Sequence, residues 1–319
     1  MAEQIPANDP QAVFHAGIER AGRHWLAFFH DPWPDHEVWA RCGGHALRAL
    51  IWCTESGQSP ELAADLTLAL GSHVMQLGYW HEWESMLRRV IARVAATIDA
   101  ERAWALNSYF SSVLYRLHRL EESIALSQRC YALAVAQQDI GRQEGVLIAL
   151  AEAYLNAEAY GQALRCAEEA TALALVIGEP IREADALTDA ARALMALGRV
   201  DEAESRLERA LALAQAANNT VYTAKAHLFL GHAACANGRW ALALERFERA
   251  LPLVASYHDE VGRATVLSNI GRALIGLGRW DEATAALEEA IRVLRHHGNG
   301  PAEAVARQRL EVVQARRTE

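Results

Sequence analysis

The sequence predicts an all-α solenoid of paired helices with a forty-residue period, and three observations carry that prediction. Gly198-Arg-Val, Gly238-Arg-Trp and Gly278-Arg-Trp align at forty-residue intervals without a gap. Alanine columns recur in phase, one at 163, 203, 243 and 283 and another at 170, 210, 250 and 290. Between them lie Ala167, Leu207, Phe247 and Leu287, and the preceding segments carry a small-residue column of Ala151, Ala191, Gly231 and Gly271. A fixed self-similarity of this length marks stacked supersecondary units rather than a single central core.

Each unit reads as two helices. After Gly198, the residues Ala203, Leu207, Ala210, Leu211 and Ala214 keep the spacing of one apolar helical stripe. The same offsets give Ala243, Phe247, Ala250, Leu251 and Val254, then Ala283, Leu287, Ala290, Ile291 and Leu294. A second apolar helix precedes each glycine, as in the stretches 184–197 and 264–277. Glycine just past a helix end suits a left-handed C-terminal residue. Asp201 and Asp281 then occupy expected N-cap positions. The small columns predict close helix approach, with glycine or alanine on one helix facing alanine on its partner.

These columns resemble the tetratricopeptide repeat: Ala or Gly at 151, 191, 231 and 271, glycine at 198, 238 and 278, and the two alanine columns. The resemblance implies a right-handed superhelical stack whose first helices line a concave groove. The forty-residue period is similar to the longer-helix variety found in regulatory and scaffold proteins.

In chain order, Asp9-Pro10 opens a helix carrying Val13, Phe14, Ile18, Trp25, Leu26 and Phe29. A rigid turn follows over residues 30–35, and then a helix from His36 to Glu55. Residues 1–58 form an N-terminal cap out of phase with the repeat, 59–299 hold six helix pairs, and 300–319 form a capping helix and tail. The first two pairs diverge, with Trp83, Val90, Ser123 and Cys130 in place of alanine. Pro252 removes an intrahelical hydrogen bond and predicts a kink. The last helix, from Ala302 to about Arg316, presents Arg307, Arg309 and Glu311 as a polar outer face, and the chain frays from Arg316 onward.

Composition bounds the function. No stretch approaches the ~20 apolar residues that span a bilayer. Residues 1–9 are polar and lack a signal pattern, which predicts a cytoplasmic protein without membrane contact. The formal net charge of −9 argues against direct nucleic-acid binding. The 5 cysteines are scattered over helices and read as reduced, packed thiols. Phosphate-loop, dinucleotide, zinc-protease and nucleophile-elbow motifs are absent, so no enzyme activity, cofactor or metal is expected. The 13 histidines lack ligand spacing, and Glu168-Glu169 and Glu288-Glu289 read as solvated faces.

The tetratricopeptide resemblance assigns groove positions column by column. One column holds Ser72, Ser112, Glu152, Arg192, His232 and Arg272. A second holds Asp65, Ala105, Gly145, Asp185, Lys225 and Thr265, and a third Leu68, Ser108, Ile148, Thr188, Leu228 and Ser268. Arg192, His232 and Arg272 form a ladder of donors, flanked by Lys225 and Asn269, that suits a carboxylate or phosphate. The competing reading is that these groups pair with Asp185, Glu152 and one another. The Lys/Asn carboxylate clamp of chaperone-binding members is not present.

Seven of the nine tryptophans lie at or before Trp104. Trp25, Trp33, Trp39 and Trp52 read either as the bulky core of a cap or as an aromatic docking surface. The motifs Arg23-His-Trp-Leu-Ala-Phe-Phe, Ala46-Leu-Arg-Ala-Leu-Ile-Trp and Gly78-Tyr-Trp-His-Glu-Trp resemble the join into the repeat sensor of bacterial signal-transduction ATPases and MalT-like regulators. That resemblance implies a non-enzymatic sensor or adaptor. Its groove would take a protein or peptide segment, or a small anionic ligand. The alternative is a scaffold that self-associates or docks through its Trp-rich end.

Overall fold

The computed structural model describes residues 9–29, 36–76, 79–257 and 259–317. Trp33 and the turn around it lie outside the described residues, as does the side chain of Ser72. Among the described residues every regular element is an α-helix. The chain divides into two compact units, Met1–Gln137 and Gln138–Glu319.

The first unit holds α1 (Pro10–Phe28), α2 (His36–Ser56), α3 (Pro60–Gln76), α4 (Trp80–Val94), α5 (Ala100–Arg116) and α6 (Leu120–Ala136). Leu50, Leu66, Leu70, Leu87, Leu106 and Leu114 form its core with Trp83, whose Nε1 donates to the Tyr109 hydroxyl at 2.8 Å. A buried serine cluster joins α5 to α6. The Ser111 and Ser127 hydroxyls are 2.6 Å apart, and Ser111 and Ser123 each donate to the other's carbonyl at 2.9 Å.

The second unit holds α7 (Ile140–Asn156), α8 (Tyr160–Ile177), α9 (Pro180–Ala196), α10 (Val200–Ala216), α11 (Thr220–Ala236), α12 (Trp240–Ser256), α13 (Glu260–Gly276), α14 (Trp280–His296) and α15 (Gly300–Arg317). Helices adjacent in sequence pack against each other, and among the first helices α7 packs on α9, α9 on α11 and α13 on α15. The alanine columns at 163, 203, 243 and 283 and at 170, 210, 250 and 290 are fully buried.

On α11 and α13 the small column meets a large residue rather than alanine. A β-carbon built on Gly271 would lie 2.6 Å from Leu287 Cγ, and one on Gly231 would overlap the Phe247 ring. At this sixteen-residue spacing α7 and α8 pair Ala151 with Ala167, but Gly231 on α11 and Gly271 on α13 are notches that receive Phe247 and Leu287. At these two glycines this corrects the expected small-on-small contact, and the reason is volume: interiors fill to crystal-like density when small faces large.

The helix ends repeat as strictly as the cores. Gly178, Gly198, Gly238, Gly278 and Gly298 adopt positive φ, and His118, Gln138, Glu158 and Asn218 do so at the same twenty-residue phase. From α5 onward, first helices other than α9 are capped by side chains: Asp99, Asp139, Asn219 and Asp259 each accept from the backbone N–H three residues on, and Asn299 accepts from Ala302 N. Second helices differ. Arg119, Arg199, Arg239 and Arg279 stand at their N-caps with no side-chain cap bond. Asp201 and Asp281 therefore lie inside the first turn, where negative charge meets the helix dipole rather than capping the end.

Pro252 lies inside the continuous helix α12, and α15 stays helical to Arg317 rather than fraying from Arg316. The 5 cysteines are free thiols, three of them buried.

Candidate functional site

Along the first helices of the second unit, one face carries residues at i, i+4, i+7 and i+11. On α11 these are Val221, Lys225, Leu228 and His232; on α13 they are Val261, Thr265, Ser268 and Arg272. Helical spacing places such residues in one continuous stripe. The groove residues assigned from sequence fall on this face and divide into two electrostatic halves.

The half built by α7, α9 and the start of α11 is charged, and its cations are paired with carboxylates. Lys225 Nζ donates to Asp185 Oδ1 at 2.5 Å, and the Tyr222 hydroxyl donates to Asp185 Oδ2 at 3.3 Å. Arg192 Nη1 donates to Asp189 Oδ1 at 2.9 Å, and its guanidinium lies 5.5 Å from the Phe229 ring centroid. Arg182 reaches back to Glu144 at 2.6 Å. Thr188 is buried and turns its hydroxyl onto Ala184 O. Asp189 has no exposed side-chain surface and its Oδ2 has no hydrogen-bond partner. Burial raises its carboxyl to about 6; Lys225 and Arg192 oppose the shift while Asp185 and Glu152 add to it.

The half built by α13 and α15 is basic and unmatched. Among the described residues, no carboxylate pairs with Arg272 or Arg309. Arg309 Nη1 instead donates to neutral oxygens: Ser268 O and Oγ at 2.8 Å each, and Asn269 Oδ1 at 3.2 Å. Burial, and then the neighbouring Arg272 charge, push the Arg309 guanidinium below its ordinary range. His232 stacks edge-on to Phe229 and Phe247, each at 5.5 Å. Burial first, then Arg272, hold its imidazole at about 4, so it is neutral near pH 7.

The ladder Arg192, His232, Arg272 is therefore not a row of three equivalent cations. Arg192 is committed to Asp189, His232 is neutral, and Arg272 alone keeps an unpaired charge. Its companion is Arg309, which belongs to this inner face rather than to the outer face of α15. The period held the signal: Arg309 stands forty residues after Asn269, in the same inward column. Arg307, by contrast, pairs outward with Glu303.

Two cavities open on the stripe. One of about 380 Å³ lies between α11 and α13, walled by Val221, Leu228, Val254, Tyr257, Val261 and Thr265. A smaller one of about 170 Å³ is lined by Thr265, Ser268, Asn269, Leu294, Val305 and Arg309. Among the described residues no group of three His, Cys, Asp or Glu side chains is placed to hold a metal, and no helix is long and apolar enough to cross a membrane.

In the first unit, Trp25 and Trp39 are half-buried against the core. Trp25 stacks on His45 with ring centroids 6.5 Å apart, and Trp39 stacks on His73 at 5.6 Å. Trp52 is exposed.

Family models for the tetratricopeptide repeat match residues 186–220 and 222–296. These two segments are tetratricopeptide repeats. The matched segments span α9 to α14, where the columns are most regular. No curated protein matches the chain. Among solved structures, a tetratricopeptide repeat protein from Parabacteroides merdae aligns at 13% identity over 92% of this chain and 99% of its own, with a TM-score of 0.64. A signal transduction ATPase with a tetratricopeptide repeat sensor from Pyrococcus horikoshii aligns at 13% identity and TM-score 0.64, over 98% of this chain and 47% of its own. A Rap protein solved in complex with Competence and Sporulation Factor aligns at 13% identity and TM-score 0.59, over 94% of this chain and 98% of its own. These likenesses are of fold. They extend the repeat architecture beyond the segments that the family models match.

Proposed function

We propose that this tetratricopeptide-repeat protein is a non-enzymatic binding module, a regulatory sensor or adaptor that captures a segment of a partner protein on the inner stripe of α11, α13 and α15. The observation that carries the reading is the unmatched guanidinium of Arg272 beside Arg309. Elsewhere the stripe neutralises its own charges. Two adjacent cations without a carboxylate repel each other, and a bound carboxylate relieves that repulsion while gaining charge-assisted hydrogen bonds. The Rap protein solved with Competence and Sporulation Factor supports a sensor role by analogy of fold.

The test is affinity capture from a native lysate with the intact chain and with Arg272→Glu. Arg272 is half-buried and tied to nothing, so its reversal leaves the packing in place. A partner retained by the wild type and lost by Arg272→Glu is the expected result. Identical protein sets on both baits would refute the site.

A second reading rests on the cavity of about 170 Å³ beside Arg309, whose size fits a small anion. In that case a small carboxylate or phosphate raises the melting temperature of the wild type and not of Arg272→Glu.

A further inference from the structure

On α5, α9 and α11 the third residue acts as a strut to the preceding first helix. Arg102 on α5 donates to both carboxylate oxygens of Asp65 on α3, at 2.7 and 2.9 Å. Arg182 on α9 reaches Glu144 and the carbonyl of Gly141 on α7, and Tyr222 on α11 reaches Asp185 on α9. These struts fill the space between neighbouring first helices. On α13 the same position is Gly262. No side chain crosses from there to α11, and the cavity of about 380 Å³ stands in its place. Its walls are mainly apolar, with Val221, Leu228, Val254, Tyr257 and Val261, while Lys225, Asp259 and Thr265 also line it; Val221 is 49% exposed.

We propose that this slot receives a large apolar side chain, aromatic in the best case, from an extended segment of a partner protein whose acidic residue reaches Arg272. The proposal rests on the binding reading above and names the chemistry of the partner. The geometry sets the spacing. Val261, Thr265, Ser268 and Arg272 share one face of α13, and Gly262 and Thr265 of the slot lie about 10–15 Å before Arg272 at 1.5 Å per residue. An extended chain covers that distance in three or four residues. Charge complementarity fixes the second anchor, because among the described residues no carboxylate pairs with Arg272 or Arg309. An aromatic anchor suits the slot because a ring buries much area at small conformational cost.

The experiment is fluorescence anisotropy with the full chain and end-blocked, labelled octapeptides. One set carries Trp and Glu three or four residues apart in either order, in a Gly/Ser background. Control sets carry Ser for Trp or Lys for Glu. Two variants close the slot: Thr265→Trp, which projects into it, and Val221→Arg, which supplies a strut from the exposed wall. Circular dichroism and melting curves confirm that both fold. The expected result is binding by the Trp/Glu peptides, at least tenfold weaker for either control peptide and for either slot variant. Affinity that falls with Arg272→Glu but not with the slot variants would overturn the slot while leaving the binding function intact. Displacement of the peptide by free glutamate, with no dependence on Trp, would overturn it in favour of a small anion. A concentration-dependent dimer abolished by Val221→Arg would overturn it in favour of a second copy. No binding by any peptide, together with an Arg272-dependent partner in the lysate, would also overturn it.

Discussion

Gly231 lies beneath the ring of Phe247. A β-carbon at 231 would come within 2.6 Å of Phe247 Cδ1 and closer still to Cε1, in a core where Phe247 has no exposed surface. The preceding pair solves the same packing problem with Ala191 and Leu207, and the following pair with Gly271 and Leu287. Gly231→Ala alone overpacks the site and should cost about 1–3 kcal/mol. Combining it with Phe247→Leu recreates the Ala191/Leu207 combination, so the double variant should be more stable than the sum of the single changes allows. A double-mutant cycle from urea unfolding measures that coupling, and simple additivity would contradict the notch-and-knob pairing.

The left-handed turn residues make a second test. Gly198 at φ 77 has nothing within 4 Å of a hypothetical β-carbon, so Gly198→Ala should cost about 1 kcal/mol through backbone conformation alone. Glu158 holds φ 56 at the equivalent turn and is exposed. Glu158→Gly should therefore gain some tenths of a kcal/mol, because relief of strain exceeds the added freedom of the unfolded chain. Opposite shifts in melting temperature are expected.

The serine cluster between α5 and α6 occupies positions that the next pair fills with Ala151, Ala163 and Ala167. Ser111→Ala strands the Ser127 hydroxyl in the core and should cost about 1–2 kcal/mol. Replacing Ser111, Ser123 and Ser127 together by alanine removes every stranded group and should be nearly neutral. A triple variant less stable than the single one would show that the hydroxyls contribute more than mutual satisfaction.

Stability should also depend on pH with a defined sign. Burial holds His227 and His232 at about 4, below the ordinary 6.5. The unfolded chain binds protons in that interval that the folded chain refuses, so stability is lost as pH falls from 6.5 toward 4. Asp189 opposes this. Its folded value of about 6 lies above the ordinary 3.8, so its contribution is full below 3.8 and lost as pH rises through 6. Two histidines outweigh one carboxyl. Asp189→Asn should steepen the acid loss and His227→Gln should flatten it, as read from denaturation midpoints between pH 4 and 7.

The repeat was legible because it is written redundantly: Ala203, Leu207 and Gly198 each recur in phase, and no single column has to bear the assignment. The small column was read correctly as a place of close approach, yet its partner was not. Which residue lies opposite Gly231 depends on the rotation of two helices about each other, and spacing along one helix does not encode that rotation. The groove residues were legible as a face and not as a charge state. Asp189 stands three residues before Arg192 on the same helix, and Lys225 pairs with Asp185 as the competing reading held, so both donors are committed. Arg309 was hidden for a different reason. A terminal helix invites the reading that its charges face solvent, whereas α15 packs in register and presents position 309 to Ser268. Gly262 is visible in the sequence, but it acquires meaning only beside the struts at Arg102, Arg182 and Tyr222.

The residues of positive φ from His118 onward fall on a twenty-residue beat. That beat makes the gene divisible. Excising the coding sequence from 199 through 238 rejoins Gly198 to Arg239-Trp240, one second-helix start in place of another, and every joint stays in frame with its neighbours. Excising twenty codons instead would set a first-helix sequence where a second helix belongs, with notches meeting notches. Recombination between equivalent turns can thus lengthen or shorten this chain by whole pairs while no half-pair survives, so variation in copy number is the natural route by which such a protein acquires a new length of binding face.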